Sequence, residues 1–252
     1  MAHPSTACSP AATAQPYHRV PGASQLTPLI DSGRSHAPPA GTMDATGAVL
    51  SEYGDESAPM GNAPREDSPG YILPNLIVLG WLRLDQHVHD WTDDTHLVLS
   101  DLRTDPTANP GGTYGVRLLV QGSDKAVWLS YRSGVGLDSE LPHDIKGRLS
   151  VHHATGTGRR LIYSHALGFV PHGTAYVVQP QRAFSSVCGP SCVHIVLMCA
   201  SDSAAAHVAL VARATETDGI AAASQLCDDH RPPPSPPPPA PPPLDPADAF
   251  YD

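Results

Sequence analysis

Residues 115–131 read GVRLLVQGSDKAVWLSY, and this stretch decides the fold class. Apolar residues occupy alternate positions in it, at 116, 118 and 120 in the first half and at 127, 129 and 131 in the second. Side chains of a β-strand point to opposite faces in turn, so each half predicts a strand with one apolar face. Trp128 and Ser130 fall on the opposite face of the second strand. Gly122-Ser-Asp124 is a turn signal, so the stretch predicts a β-hairpin.

Short apolar runs of the same kind recur along residues 71–213, separated by Gly, Pro, Asn and Asp. No long stretch has the period of an amphipathic helix, although the Ala-rich segment Thr215–Leu226 predicts a short one. Many short strands with regular turns predict an all-β fold, either a jelly roll or a β-sandwich. The predicted strands are Tyr71–Leu79, His96–Leu99, Gly115–Gln121, Ala126–Tyr131, Gly147–His152, Arg160–Tyr163, Thr174–Gln179, Val193–Met198 and Val208–Arg213.

The two ends of the chain differ in composition from its middle. The 28 prolines are concentrated in the first 70 residues and the last 22. Proline-rich polar segments bury too little apolar surface to offset the entropy of the chain. We therefore predict a disordered arm at 1–68 and one β-rich domain at 69–216. Residues 217–252 then hold a short helix or linker, a polyproline tract and an acidic tail. Met43 is a possible internal start that would shorten the arm without touching the fold.

The charge and the cysteine content limit the classes of function. The formal net charge is −10, which argues against nucleic acid as a partner because phosphate binding needs a basic face. No apolar run approaches the ~20 residues that span a bilayer, and the N-terminus lacks the pattern of a signal peptide. Five cysteines, an odd number at low density, fit a reducing compartment. The sequence predicts an intracellular protein, cytoplasmic or nuclear, with no membrane partner.

Residues 231–243 read RPPPSPPPPAPPP and predict a polyproline II rod. Arg231, Pro234 and Pro237 repeat at the three-residue spacing that aromatic grooves of SH3, WW and EVH1 domains bind. A stiff rod loses little entropy on binding, so these three residues are candidate contacts for a polyproline-binding protein domain. A solvated spacer is the alternative.

The 14 histidines and five cysteines raise the question of a metal site. Asp85, His87 and His89 would share one face if their segment is a strand. A second group along the chain comprises Cys188, Cys192, His194, Cys199 and Cys227. Neither group has the tight paired spacing of a structural zinc site. Reduced cysteines in the core and histidines on the surface are the simpler explanation.

A series of short motifs follows in a fixed order along residues 98–179, and the series resembles the trimeric dUTPase and dCTP deaminase superfamily. The resemblance implies a small jelly roll and a homotrimer. The motifs are Val98-Leu-Ser-Asp-Leu-Arg-Thr104, Pro110-Gly-Gly112, Tyr131-Arg-Ser-Gly-Val-Gly136, Asp144-Ile-Lys-Gly147 and Val170-Pro-His-Gly-Thr-Ala-Tyr-Val-Val178.

The resemblance also implies roles for individual residues. Arg132, Ser133 and Gly134 would bind the phosphates of a deoxynucleotide, since an arginine, a hydroxyl and amides of a tight turn suit an anion. Asp101 would help to hold the magnesium ion that bridges the phosphates. Asp144 matches an outer acidic residue and is the candidate catalytic residue, whereas the position of the family's catalytic aspartate holds Pro142.

Three functions remain open from the sequence. The segment that holds uracil in the family is shortened between Gly136 and Asp144, and the glycine-rich C-terminal motif is absent. These departures favour a non-catalytic interaction protein, similar to the dUTPase-related proteins with degraded motifs in large DNA viruses such as herpesviruses. An active magnesium-dependent dUTP pyrophosphatase is the second hypothesis. An unrelated β-sandwich adaptor that recruits SH3, WW or EVH1 domains is the third.

Overall fold

The structure is a computed structural model. It describes residues 40–43, 49–51, 54–60, 69–155, 163–178 and 192–231. All of these residues belong to one compact unit, Ser35–Asp252. Most of the predicted arm, and the polyproline tract from residue 232 onward, lie outside the described residues. The disorder of the arm and the polyproline II conformation of the tract therefore stay predictions.

The larger sheet has seven strands in the order β2–β1–β8–β7–β6–β5–β3. Strands β5 to β8 are consecutive in the chain and pair antiparallel as a meander. Two further pairings, β1 with β8 and β3 with β5, are parallel. The bounds are β1 Ala40–Met43, β2 Val49–Ser51, β3 Val88–Asp90, β5 Gly115–Leu119, β6 Lys125–Arg132, β7 Arg148–Thr155 and β8 Tyr163–Val170.

The smaller sheet has four antiparallel strands in the order β4–β11–β10–β9. The chain enters it once after β3, leaves it for the meander of the larger sheet, and returns through β9 to β11. The all-β prediction is confirmed, and the arrangement is a β-sandwich. The bounds are β4 Thr95–Ser100, β9 Ala175–Val178, β10 Val193–Ser201 and β11 Ala205–Arg213.

The main core lies between the two sheets. Val116 and Leu129 of the larger sheet are paired in register, as the predicted hairpin requires, and both are buried. They belong to the same apolar cluster as Val196 and Val208 of the smaller sheet. Because alternate residues of β5 and β6 face this cluster, the period-two pattern of residues 115–131 accounts for one wall of the core.

The predicted strand Tyr71–Leu79 is wrong, because the structure has helix α1 at Leu73–Leu79. Pro74 lies in the first turn of this helix and Gly80 ends it with φ +75°. Proline is favoured at the start of a helix, where its missing N–H is not needed, and glycine readily adopts the left-handed conformation at the end. Proline at the start and glycine at the end are therefore the signals that mark this apolar run as a helix.

Helices cover the outer faces of both sheets. Leu73 and Leu76 of α1 pack in one cluster with Trp128, which the sequence placed on the face opposite the main core. Helix α3 at Glu216–Asp229 packs against Ile195 and Val211 of the smaller sheet. It confirms the predicted short helix and continues three residues beyond it. The short helix α2, Leu84–His87, precedes β3.

Strands β1 and β2 come from the predicted arm and extend the larger sheet beyond the predicted boundary at residue 69. The backbone of Ala40, Gly41 and Thr42 pairs with β8. A chain that began at Met43 would lack these three residues, so the expectation that such a start leaves the fold untouched is wrong.

Candidate functional site

Two of the predicted site residues meet where the chain leaves β4 and β6. Asp101 forms a parallel bridge with Tyr131, next to Arg132 at the end of β6. Its carboxylate accepts a hydrogen bond from the backbone N–H of Ser133 at Oδ2 and one from the N–H of Arg103 at Oδ1, the latter at 2.6 Å. The two motifs that contain Asp101 and Ser133 are therefore in direct contact.

The surroundings of Asp101 do not fit a magnesium site. The residue is only 1% exposed, and each of its carboxylate oxygens accepts a backbone N–H. Magnesium needs near-octahedral oxygen coordination and usually keeps several waters, which a closed carboxylate cannot accommodate. Across the described ranges, no group of three or more His, Cys, Asp or Glu side chains is arranged to hold a metal ion.

Arg132 lies inside the protein. The residue is 0% exposed, and its Nε donates to Asp138 Oδ2 at 2.8 Å while Nη2 donates to Oδ1 of the same carboxylate. The remaining contacts go to backbone carbonyls: Nη2 donates to Gly70 O at 3.0 Å, and Nη1 donates to Ser57 O. The guanidinium thus joins three segments of chain and presents no face to solvent.

Asp138 is the centre of this network, and sequence reasoning missed it. Its carboxylate also accepts the Nε of Arg103 at 2.8 Å and the backbone N–H of Gly70 at 3.1 Å. Burial alone would raise the pKa of Asp138, but Arg132 and Arg103 hold that pKa below its ordinary value. In the sequence, Asp138 lies six residues after Arg132, in the shortened segment between Gly136 and Asp144, to which the resemblance gave no side-chain role.

Ser133 and Gly134 form the turn that was predicted to cradle phosphate. Gly134 has φ +85°, and a Cβ on it would lie 2.8 Å from Cγ of Lys146. The left-handed conformation and the close lysine stem both favour glycine here. The Ser133 hydroxyl is buried and has no hydrogen-bond partner in the described part of the chain.

Asp144 and Pro142 lie in the turn that precedes β7. The Pro142 carbonyl accepts the backbone N–H groups of Ile145 and Lys146, at 2.9 and 3.1 Å. The Asp144 side chain is exposed on this turn. The turn is attached to the end of β6 because Gly147 N–H donates to the Arg132 carbonyl at 2.9 Å. The structure therefore brings the two segments together through the backbone, while the Asp144 carboxylate points into solvent.

The predicted metal ligands around β3 do not converge. Asp85 and His87 lie in helix α2 and not in a strand, so the alternation that would align them with His89 does not apply. The Asp85 carboxylate pairs with Arg83 at 3.0 Å on the surface. The His87 Nδ1 accepts the backbone N–H of Arg83 at 2.8 Å and closes that helical turn.

The expectation of reduced cysteines and surface histidines is also corrected. Cys199 of β10 and Cys227 of α3 form a disulfide bond. Burial lowers the pKa of His194, whose ring packs edge-on against Trp91 at 5.3 Å between ring centroids. Five histidines of the described residues are buried, namely His87, His152, His153, His165 and His194.

A serine, an aspartate and a histidine, the residue types of a catalytic triad, lie together at β7 without forming a triad. The Ser57 hydroxyl donates to Asp55 Oδ1 at 2.5 Å, and His152 Nε2 lies 3.0 Å from Asp55 Oδ2. Activation of a serine requires the imidazole next to the hydroxyl, whereas here the carboxylate lies between them. All three residues are buried. The arrangement fixes residues 54–60 against β7.

The predicted contacts of the tail are only partly described. Arg231 is exposed and its Nη2 donates to Asp228 Oδ1 at 2.7 Å. Pro234 and Pro237 lie outside the described residues. In the part of the chain that the structure describes, no helix is long and apolar enough to cross a membrane.

No family model, curated protein or solved structure matches the chain. The resemblance to the dUTPase superfamily therefore stays a prediction.

Proposed function

We propose that the protein is a non-catalytic interaction protein of dUTPase-like type, with catalytic motifs that serve the fold. One observation carries this proposal: the guanidinium of Arg132 is enclosed in an ion pair with Asp138. A side chain that binds the phosphate of a nucleotide must expose its hydrogen-bond donors to the solvent from which the nucleotide arrives. The donors of Arg132 instead hold Asp138 and the carbonyls of Ser57 and Gly70.

Two further features support a non-catalytic protein. Asp101 is closed by two backbone amides, which leaves it unsuited to magnesium. Pro142 stands where the family's catalytic aspartate is expected, and its carbonyl closes the turn before β7. A proline has no group that can take a proton from water, so this position supplies no general base.

The candidate partner is a polyproline-binding domain of the SH3, WW or EVH1 class. Helix α3 packs on the smaller sheet and the proline tract follows it directly, so the tract begins at a fixed point of the fold. Arg231 at that point is exposed, and its pair with Asp228 is weak because both side chains are mostly in solvent. The guanidinium is therefore free to exchange this contact for an acidic residue of a partner groove.

Pyrophosphate release from deoxynucleotides with magnesium tests the absence of catalysis. The full-length protein is expected to release none from dUTP or from dATP, dCTP, dGTP and dTTP. Selective turnover of dUTP would overturn the proposal.

Binding of a panel of purified SH3, WW and EVH1 domains tests the interaction role. The full chain is expected to bind at least one domain, and deletion of residues 231–244 is expected to abolish that binding without shifting Tm. Equal binding by the truncated protein would exclude the tail as the contact.

An active dUTP pyrophosphatase is the second candidate, and one contact favours it. The Asp101 carboxylate accepts the backbone N–H of Ser133, and the buried Ser133 hydroxyl has no partner among the described residues. Nucleotide binding without turnover would be detected as a rise in Tm with dUTP that Ser133→Ala removes. No rise would favour the adaptor hypothesis, in which the sandwich is unrelated to dUTPases.

The assembly and the compartment are proposed on the same basis. A dUTPase-like protein would be a homotrimer, which light scattering of the purified protein tests. We also propose an intracellular location, cytoplasmic or nuclear. The Cys199–Cys227 disulfide is a bond more typical of oxidising compartments, so its redox state in cells bears directly on that location.

A further inference from the structure

Two histidines and a cysteine lie at one end of the outer face of the smaller sheet. His96 of β4 is paired with Ala209 of β11. His207 lies two residues before Ala209 in β11 and therefore on the same face of the sheet. The ring centroids of His96 and His207 are 5.5 Å apart. Cys199 of β10 packs in the apolar cluster that joins this face to α3. The sheet therefore brings one sulfur and two imidazoles to the same end of the helix.

The C-terminal end of α3 supplies two more groups to this place. Cys227 is bonded to Cys199 through the disulfide. The ring of His230 stacks on that of His96, with centroids 4.3 Å apart and planes 9° from parallel. These side chains line a single surface depression, together with two neighbours. The lining residues are His96, Cys199, Ala200, His207, Cys227, His230 and Arg231.

A backbone carbonyl fixes the tautomer of one of these histidines. The Nδ1 of His230 lies 2.9 Å from the carbonyl oxygen of Leu226. A carbonyl only accepts, so Nδ1 carries a proton, and in the neutral imidazole Nε2 is the nitrogen with the lone pair. Metal-binding histidines typically have this tautomer fixed by a backbone carbonyl or a carboxylate at the other ring nitrogen.

We propose that reduction of the Cys199–Cys227 disulfide creates a zinc site from these two thiolates and two of the imidazoles of His96, His207 and His230. In the disulfide-bonded state the two sulfurs are joined to each other and cannot act as thiolate ligands. In this state no group of three or more His, Cys, Asp or Glu side chains in the described ranges is arranged to hold a metal ion. Two sulfurs and two nitrogens are a ligand set that tetrahedral zinc prefers. Convergence on the ion requires rotation of the stacked His96 and His230 rings.

The reaction balances with a dithiol as the reductant. The dithiol gives two electrons to the Cys199–Cys227 bond, is itself oxidised to a disulfide, and releases two protons as the two protein thiolates bind Zn²⁺. The S–S bond of the protein breaks and two Zn–S bonds form. Because the thiolates must be deprotonated, zinc binding in the reduced protein weakens as the pH falls.

Spacing along the sequence does not reveal this site. That spacing grouped Cys199 and Cys227 with Cys188, Cys192 and His194, whereas the fold joins them to His96 of β4, His207 of β11 and His230 just after α3. His194 points instead toward Trp91 on the opposite side of β10.

Cobalt titration of the full-length protein tests the proposal, because thiolate-bound Co²⁺ has charge-transfer and tetrahedral d–d absorption bands. Protein reduced with a phosphine is expected to show both bands at one equivalent and to lose them when Zn²⁺ is added. Oxidised protein is expected to show neither and to bind zinc about 100-fold more weakly, on the scale by which lost ligands or their supports reduce metal affinity. Equal zinc affinity in the two redox states would overturn the proposal.

Variants identify the ligands. Cys199→Ser, Cys227→Ser and the double variant His96→Ala/His230→Ala are each expected to lower the zinc affinity of the reduced protein by about 100-fold. His143→Ala, an exposed histidine in the turn before β7, is the matched control and is expected to change nothing. Circular dichroism of each reduced variant checks that it is folded. A folded Cys199→Ser/Cys227→Ser protein that still binds zinc as the reduced wild type does would overturn the assignment.

Discussion

The guanidinium of Arg132 and the carboxylate of Asp138 form a bidentate ion pair, and both side chains are 0% exposed. Removing one partner of a buried pair leaves an uncompensated charge, which costs more than the pair itself contributes. The contact therefore makes Arg132 a structural residue, whereas its sequence motif suggested a ligand for phosphate.

Substitution of Arg132 is expected to destabilise the fold. Arg132→Ala should lower the free energy of unfolding by about 3–5 kcal/mol, because Asp138 and two backbone carbonyls lose their donors. Arg132→Lys should recover only part of the free energy of unfolding that Arg132→Ala loses, since an ammonium cannot form the two parallel bonds. Urea unfolding measures both. Asp144→Asn, on an exposed turn, is the control and should change stability by under about 0.5 kcal/mol. An Arg132→Ala protein of wild-type stability would contradict the structural role.

The ion pair also predicts how stability depends on pH. The pKa of Asp138 is lowered in the folded protein by Arg132 and Arg103, relative to about 3.9 in the unfolded chain. The contribution of this carboxylate is therefore fully present above about pH 4 and is lost as the pH falls through its folded value. The stability difference between wild type and Asp138→Asn, followed by urea unfolding from pH 7 to pH 3, should shrink at the acid end. A difference that grew below pH 4 would contradict this assignment.

Gly219 of α3 is expected to resist a substitution that usually stabilises helices. Alanine in place of glycine inside a helix normally contributes about 1 kcal/mol. Here a Cβ would lie 2.6 Å from Cγ1 of Ile195, which is fully buried and cannot move aside. Overpacking costs about 1–3 kcal/mol, so Gly219→Ala should lower Tm. Ser224→Ala, on the exposed face of the same helix, should leave Tm unchanged or raise it slightly. A rise in Tm for Gly219→Ala would mean that α3 packs less closely on β10.

The disulfide is expected to stabilise the packing of α3 on the smaller sheet. The bond joins residues 28 positions apart, and closing a loop of that size is worth about 3.5 kcal/mol in the chain-entropy model. Cys227→Ser without added metal should lower the free energy of unfolding by about that amount under oxidising conditions. Under reducing conditions without metal, the variant and the wild type should converge. Equal stability under oxidising conditions would show that the bond does not form in solution.

Local patterns predicted the strands of the sandwich well, because a strand with one buried face leaves a period-two signature. Residues 116–120 and 127–131 gave that signature and form β5 and β6. The apolar run of α1 had no such period, since nearly all of its residues are buried between β6 and the loops around it. For a run that is apolar on every side, only the proline at its start and the glycine at its end distinguish a helix from a strand.

The candidate site was predictable only where the backbone defines it. Asp101 and Ser133, from two of the motifs, are in contact through a main-chain N–H. The side-chain roles depended on tertiary pairing that no spacing reveals. Asp138 forms an ion pair with Arg132 across a turn. Residues 55–57 of the predicted arm form hydrogen bonds with His152 and Arg132. Long-range pairs of this kind become visible only once the chain is folded.

The pairing of β1 with β8 has a consequence for the solubility of the protein. With β1 removed, the backbone groups of Ser164, His165 and Ala166 would form an open sheet edge, which is a template for pairing with other chains. Protein that lacks residues 1–51 is therefore expected to self-associate at concentrations where the full chain does not. In the full chain this edge ends in β2, a strand of three residues that offers little length for such pairing. Protection against aggregation thus comes from a segment whose composition alone suggested a dispensable arm.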